Sequence, residues 1–405
     1  MLNYKKLLET YETPFYLYNF DQIKEAFLRY KEAFRGRKSL ICYALKANSN
    51  LSILSLLASL ESGADCVSIG EIKRALEAGI KPYRIVFSGV GKSEFEIEQA
   101  LKLNILFLNV ESFMELKTIE KIAQNLGIKA RISIRINPNI DAKTHPYIST
   151  GLKENKFGVE EKEALEMFVF AKKSAFLEPI SVHFHIGSQL LDLEPILEAS
   201  AKVVKIAKSL IALGIDLRFF DVGGGIGVSY ENEETIKLYD YAQGILDSLK
   251  GLDLTIICEP GRSIVAESGE LITKVLYEKV AQNKRFVVVD IGMNDFLRPS
   301  LYGAKHEIEV ISSVNKEGET SLCDVVGPVC ESSDTFLKNI HLPPLEQGDI
   351  LALKKVGAYG SSMASNYNSR PKLLELALED KEIRVIRKRE SLEDLWHLEK
   401  ECLNG

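Results

Sequence analysis

Between residues 39 and 260, eight short β-rich runs alternate with amphipathic segments. The runs are SLICYAL (39–45), ADCVSI (64–69), RIVFSGV (84–90), NILFLNV (104–110), ARISIRI (130–136), PISVHFHI (179–186), LRFFDVG (217–223) and LTIICEP (254–260). Between them lie stretches with apolar residues at helical spacing, among them NLSILSLLASLE (50–61), GEIKRALEAG (70–79), SFMELKTIEKIAQNLG (112–127), EPILEASAKVVKIAKSLIALG (194–214) and EETIKLYDYAQGILDSLK (233–250). A helix after each strand carries the chain back along the sheet, so neighbouring strands run parallel. Eight such units in about 220 residues predict an α/β fold, a (β/α)8 TIM barrel. An open doubly wound sheet is the other topology that this alternation permits.

Beyond about residue 265 the texture changes. GELITKVLYEKV (269–280), KRFVVVDIG (284–292), HEIEVISSV (306–314), TSLCDVVGPVC (320–330) and GDILALKKVGAYG (348–360) are strand-like, separated by Gly and Asn/Asp turns. They predict a C-terminal antiparallel β domain. The tail from 370 to 399 reads as a last strand with helical pieces. TPFYLYNF (13–20) is also strand-like. The expected division is a barrel over 21–265 and a β domain over 266–405, joined by the N-terminal segment 1–20.

Composition excludes several classes of function. The net charge is −6 with both signs dispersed, and no basic stripe suits nucleic acid. No run approaches the roughly 18 apolar residues of a membrane span. The first 20 residues lack the apolar core and cleavage site of a secretory signal, so a cytoplasmic protein is expected. The six cysteines (42, 66, 258, 323, 330 and 402) form no CxxC pair, and His306, His341 and His397 have no ligand spacing, so no metal is expected. Cys42, Cys66 and Cys258 lie within apolar runs and read as small buried hydrophobes.

The carboxyl ends of the eight runs carry Lys46, Asp65 with Ser68, Ser88, Asn109, Arg135, His185, Asp221 and Glu259. Barrel enzymes build their sites at that face, from several strands at once. Lys46 closes an apolar strand. It is either a neutral amine reactive toward an aldehyde, or a lysine whose stem is buried and whose head reaches water. DVGGGIG (221–227) lets backbone approach a ligand closely and offers N–H groups to a phosphate, or forms a tight structural turn. Its spacing and late position are not those of a dinucleotide fingerprint. HFHIGS (183–188) adds a second candidate phosphate contact at Gly187–Ser188, and CEPGR (258–262) ends the eighth run with a carboxylate. An amine, an imidazole, a carboxylate and a phosphate cradle together suit pyridoxal 5'-phosphate (PLP).

YALKANSN (43–50), RINPNIDAKTHPYISTGLKENKFG (135–158), HFHIGSQ (183–189), DVGGGIG, EPGR (259–262), GPVCESSD (327–334) and GAYG (357–360) occur in an order that resembles the diaminopimelate decarboxylase family, PLP enzymes of the alanine-racemase-like barrel class. The resemblance runs from about residue 12 to 375. It implies that Lys46 binds the cofactor aldehyde, His185 stacks on its ring and Glu259 binds the pyridine nitrogen. It also implies that Ser188, Gly225, Gly261 and Arg262 hold the phosphate side, with Tyr359 near it. Cys330 would reach the site from the other subunit of a homodimer and donate a proton. Arg262, Arg298, Tyr302, Glu331 and Tyr359 would bind the substrate, meso-2,6-diaminopimelate, which is converted to L-lysine and CO2 in the last step of lysine biosynthesis.

The residues support part of this. A carboxylate at the pyridine nitrogen favours a strong electron sink and therefore decarboxylation; the arginine that the resemblance implies for alanine racemases at this place weakens it. Arg298, in DFLRPSLYGAKH (295–306), suits a distal carboxylate through bidentate bonding, or is a surface arginine before a proline. Cys330 is either the proton donor or a buried structural thiol; acidic neighbours Glu331 and Asp334 favour its protonated form. Arg135 either meets the cofactor's phenolic oxygen or neutralises a rim carboxylate. His145 is a site residue or a loop histidine, and Asp65 supports Lys46 or caps a turn. Decarboxylation of another diamino acid or of carboxynorspermidine is the rival activity, and a non-catalytic regulatory protein of the same fold is the rival class.

Overall fold

A computed structural model describes residues 4–141, 156–312 and 319–403. The THPYISTG loop with His145 lies outside the described residues. The chain divides into two units: Lys24–Ser229 with Glu233–Ile264, and the remainder, comprising the chain up to Ile23, Tyr230–Asn232 and everything from Val265 on. Among the described residues no helix is long and apolar enough to cross a membrane.

The chain opens with α1 (Tyr4–Thr10), β1 (Phe15–Asn19) and α2 (Phe20–Ala33). Eight strands then follow: β2 (Ser39–Ala44), β3 (Gly63–Cys66), β4 (Ile85–Phe87), β5 (Phe107–Val110), β6 (Ala130–Arg135), β7 (Leu177–His183), β8 (Phe219–Asp221) and β9 (Thr255–Cys258). Each pairs in parallel with the next, and β2 pairs with β9, so the sheet closes into the barrel that the alternation predicts. The open sheet is thereby excluded. The intervening helices are α3 (Leu51–Ser59), α4 (Ile69–Glu77), α5 (Glu94–Lys102), α6 (Phe113–Leu126), α7 (Glu161–Lys173), α8 (Glu194–Ala212) and α9 (Leu238–Ser248), with a single turn, α10 (Arg262–Val265), after β9.

Capping fixes where several of these helices start. Ser68, Ser93 and Ser112 each accept the backbone N–H three residues on, and Glu96 returns a bond to the Ser93 N–H. Each cap offsets the orphan donors of a first turn by about 1 kcal/mol. Cys42, Val86, Leu106, Phe107, Ile180 and Ile257 form a buried cluster in the barrel unit. Cys42, Cys66 and Cys258 are buried, as their apolar runs predict. The helical stretch 194–214 matches α8 closely. The stretch 233–250 does not match as well: Asn232 turns the chain at φ +74° and α9 begins only at Leu238.

The other unit contains β10 (Gly269–Ala281), β11 (Lys284–Val289), α11 (Arg298–Tyr302), β12 (Ile308–Ser312), β13 (Ser321–Val326), β14 (Thr335–Leu342), β15 (Ile350–Lys354), β16 (Leu374–Glu379), β17 (Glu382–Arg387) and α12 (His397–Lys400). With β1 they make a nine-stranded sheet in the order β14-β13-β11-β10-β1-β16-β17, with β15 on β10 and β12 on β15. Leu7, Phe15, Leu17, Ile272, Ile350, Ala352 and Leu376 form its core cluster. Most pairs are antiparallel, but β1–β16 and β11–β13 are parallel. A parallel neighbour needs a long connection, and both pairs have one: most of the chain lies between β1 and β16, and α11 and β12 lie between β11 and β13. The tail holds two strands rather than one. Asp380 and Lys381, at φ +49° and +69°, make the tight turn that folds β17 back on β16.

Candidate active site

Lys46 sits in a helical turn (Leu45–Ala47) directly after β2, and its ammonium pairs with Asp65 on β3. Asp65 is buried. Burial pushes its carboxyl up, the charge of Glu259 adds to this, and Lys46 pulls back only part of the shift. Of the two sequence readings of Asp65, support of Lys46 is the one observed. The Lys46 turn is also fixed from the far end of the barrel sheet. Ala44 N–H donates to Pro260 O at 3.0 Å, and a Cβ on Gly261 would lie 3.0 Å from Ala47 Cβ and 3.1 Å from Ala44 Cβ. Gly261 thus lets the turn after β9 lie flat on the turn after β2.

The glycine loop packs backbone on backbone. A Cβ on Gly224 would come within 2.1 Å of Glu259 O, and one on Gly225 within 2.2 Å of Gly187 O. Leu190 N–H donates to Gly225 O and Gly227 N–H to Leu190 O, both at 2.9 Å, which zips the loops after β7 and β8 together. Arg262 Nη2 donates to Ser188 Oγ at 3.2 Å, joining two residues expected on the phosphate side.

His185 lies two residues past the end of β7. Its Nδ1 accepts from Gly224 N–H at 3.2 Å, which leaves any ring proton on Nε2. Burial, with Arg135 and Lys46 close by, pushes its imidazole well below the ordinary value, so the ring is neutral. Arg135, at the end of β6, forms a buried pair with Glu111 (2.9 Å) and stacks over Phe157 at 4.7 Å. Glu111 also accepts Gly158 N–H at 2.8 Å. Burial would raise its carboxyl, but Arg135 and Lys92 more than reverse this and hold it below the usual range. Arg135 therefore neutralises a rim carboxylate. Glu111 was legible in principle, because it is a charge directly after the apolar run NILFLNV, as Lys46 is after its own.

Glu259 follows β9 and is buried, as are His183 at the end of β7 and Asp221 at the end of β8. His183 Nε2 is 3.4 Å from Glu259 Oε2. Burial would raise the Glu259 carboxyl, but His183, then Lys46, hold it well below the carboxylate range. Asp221 moves the other way, pushed far up by burial and by the charge of Glu259. Glu259 Oε1 accepts no hydrogen bond from the described residues. His183 stands two residues before His185 in HFHIGS, but it ends β7 whereas His185 lies in the loop beyond.

The other expected residues belong to the β unit. Arg298 is buried at the start of α11, where Nη1 donates to Tyr230 Oη at 2.6 Å and the guanidinium lies 4.6 Å from that ring. It is not the surface arginine that its sequence also allowed. Tyr302 ends the same helix. Ser300 Oγ donates to Ser333 O at 2.7 Å, which ties α11 to the GPVCESSD segment. Asp334 shapes that segment by accepting the N–H groups of Val329 and Met293, both at 2.7 Å. Cys330 is exposed, so the buried structural thiol is excluded. Glu331 accepts the Tyr367 hydroxyl at 2.6 Å. Tyr359 occupies the GAYG turn at φ +57°.

Within the barrel unit the rim therefore offers an amine, a neutral imidazole, an Arg–Ser pair and a buried carboxylate with an acceptor oxygen to spare. These groups fit an aldehyde-bearing pyridine phosphate, each matching a different part of that molecule. Residues 20–266 match the family described as pyridoxal-dependent decarboxylase, pyridoxal binding domain. The chain is 85% identical to a diaminopimelate decarboxylase of Helicobacter pylori over 405 residues, covering 100% of both. It is 61% identical, again over 100% of both, to one of Campylobacter jejuni. A crystal structure of diaminopimelate decarboxylase from Helicobacter pylori complexed with L-lysine superposes with a TM-score of 0.96 at 85% identity, over 99% of this chain and 100% of that one.

Proposed function

Because the chain belongs to the pyridoxal-dependent decarboxylases, and among them to the diaminopimelate decarboxylase family, we propose that it converts meso-2,6-diaminopimelate to L-lysine and CO2 with PLP as cofactor. The observation that carries this reading is 85% identity over the full length to a relative of that name, combined with Lys46 and Glu259 following the paired strands β2 and β9. When bound, PLP supplies an aldehyde for amines and a protonated ring that accepts the electron pair left by CO2.

The chain's own groups do the rest. Lys46 would hold the aldehyde of the bound cofactor, and Asp65 keeps the Lys46 amine at the strand end. Glu259 keeps the proton on the ring nitrogen. His185, neutral, would cover the ring face without adding a positive charge beside it. Ser188, Gly225, Gly261 and Arg262 hold the phosphate, with Tyr359. Arg298, with Arg262, Tyr302 and Tyr359, binds the distal carboxylate, and Glu331 the distal ammonium; a diamino acid lacking the second carboxylate forgoes the first of these. Cys330, supplied by the partner in a cytoplasmic homodimer, gives its proton to the carbon that lost CO2.

The deciding experiment is chiral product analysis after incubating the protein and PLP with meso-diaminopimelate. L-lysine and CO2 in equal amounts support the reading. A folded, PLP-loaded protein that yields none, yet decarboxylates another diamino acid, would replace the substrate and put Arg298 in doubt before Lys46. The shared site has its own check. Mixing Lys46→Ala and Cys330→Ala proteins should restore turnover that neither shows alone, and persistent inactivity of the re-associated mixture would argue against it.

A further inference from the structure

Three groups meet at the barrel rim from the ends of three adjacent strands. An imidazole nitrogen of His183, a carboxylate oxygen of Asp221 and one of Glu259 all lie within 4.8 Å of one another. Asp221 Oδ1 accepts Gly223 N–H at 2.9 Å, but among the described residues Asp221 Oδ2 and Glu259 Oε1 have no donor between them. Two buried carboxylates at such separation do not both ionise, because each desolvated charge opposes the other. One proton shared by the pair supplies the missing donor and removes the repulsion.

We propose that Asp221 and His183 are positioning residues that fix Glu259 as the sole anion of this buried pair, Asp221 by donating its carboxyl proton to Glu259 and His183 by presenting Nε2 to Glu259 Oε2. The proposal rests on the cofactor role assigned to Glu259 above. Its consequence is that Glu259 meets the ring nitrogen as an acceptor and never as a donor. A Glu259 that kept the proton itself would leave the ring nitrogen bare and the electron sink weak.

The surroundings support this assignment of the proton. Glu259 is faced by His183, Lys46 and the neutral His185, and of the two carboxylates it is the one held down by the Lys46 ammonium. Asp221 is faced by Glu259, His183, Asp65 and the side chains of Cys42, Cys258 and Tyr241, and the one imidazole among them also lies 3.4 Å from Glu259. Burial pushes both thiols and the phenol upward, Cys258 to about 12, so all three stay neutral and supply no positive charge that would favour an ionised Asp221. Asp221 also sits on the backbone hinge of the glycine loop, through the Gly223 bond, so a neutral Asp221 ties the loop and the anion together.

Infrared spectroscopy of the cofactor-free protein at neutral pH tests the proton's position without reference to turnover. Labelling aspartate carboxyls with 13C should shift a protonated-carboxyl band that disappears in Asp221→Asn, whereas Glu259→Gln should remove a carboxylate band. The opposite pattern, with the protonated band lost in Glu259→Gln, overturns the proposal. In the PLP-loaded protein, Asp221→Leu should move the pH midpoint of the bound cofactor's absorbance by about one unit, an effect of about tenfold on ring protonation, and Asp221→Asn should restore it through its N–H donor. His183→Phe and His183→Gln should behave likewise. An unmoved midpoint in both Asp221→Leu and His183→Phe also overturns the proposal. If the unsubstituted protein binds no PLP, it is the cofactor reading that fails, and the infrared result still judges the proton.

Discussion

The rim of the barrel and the Cys330 segment of the β unit handle charge in opposite ways. On the rim, Asp65, Glu111, Arg135, His183, Asp221 and Glu259 are all buried, and nearly every one answers another charged group. In the segment, Cys330 and Glu331 face solvent, and the inward carboxylate, Asp334, is occupied by backbone N–H groups. Groups of the first kind are tuned by their own unit and are part of its core. Groups of the second kind are held in shape by the loop but contribute little to the stability of the fold. A substitution on the rim should therefore change folding and chemistry together, while one in the segment should change chemistry alone.

The largest effect expected is from Lys46→Ala, which should lower turnover by at least about 10⁴. Retained steady-state turnover would remove Lys46 from its assigned role. Cys330→Ala should cost about 10² to 10⁴ in turnover, the range for a positioned proton donor, while its urea midpoint stays at the unsubstituted value. A shifted midpoint would break the contrast, because an exposed thiol has no core to disturb. Glu111→Ala should destabilise the protein by about 3–5 kcal/mol, since it strands a buried guanidinium; a loss below about 1 kcal/mol in denaturant titration would show that Arg135 finds water or another partner. Arg298 sharpens the comparison because it is a buried member of the β unit. Arg298→Ala should raise KM for diaminopimelate and also cost about 1–3 kcal/mol of stability. Tyr230→Phe, which keeps the ring and loses the hydroxyl, should reproduce part of the stability loss and little of the KM change.

The smallest effect concerns pH. His185 stays neutral in the folded protein below its ordinary 6.5. Below that value the unfolded chain takes up a proton that the folded imidazole refuses, so this contribution is present above about pH 6.5 and declines as the pH falls. The slope reaches at most about 1.4 kcal/mol per pH unit for one group. In cofactor-free protein, His185→Gln should thus lose less thermal stability between about pH 7 and about pH 5.5 than the unsubstituted chain. Equal slopes would mean that the imidazole is protonated in the fold.

The rim was legible for a simple reason. A charged residue at the end of an apolar strand is costly unless it is paired or acts on a ligand, and Lys46, Arg135 and Glu259 each stand at such a place. The networks beneath were not legible. Asp65 meets Lys46, Glu111 meets Arg135 and Asp221 meets Glu259 across consecutive parallel strands, and no local spacing records which side chains of neighbouring strands come into contact. His183 is the exception, since it stands at the carboxyl end of the same apolar run that carries His185. In the β unit the strands could be found from their alternation, but their pairing could not: the parallel β1–β16 and β11–β13 contacts depend on long connections rather than on turns. The burial of Arg298 was likewise invisible, because its partner Tyr230 comes from a distant stretch of chain.

The position of β1 has a consequence for how the chain is made. Tyr18 pairs with Gly269 and Leu17 with Leu376, so the earliest strand waits for partners about 250 and 360 residues downstream. At a synthesis rate of about 5–20 residues per second, the nearer partner emerges roughly 12 to 50 s later. All eight strands of the barrel leave the ribosome in that interval, while FYLYN, four of whose five residues are buried in the finished protein, has no sheet to join. A nascent chain halted before β16 would hold every strand of the barrel while the β16 edge of β1 still lacked its partner.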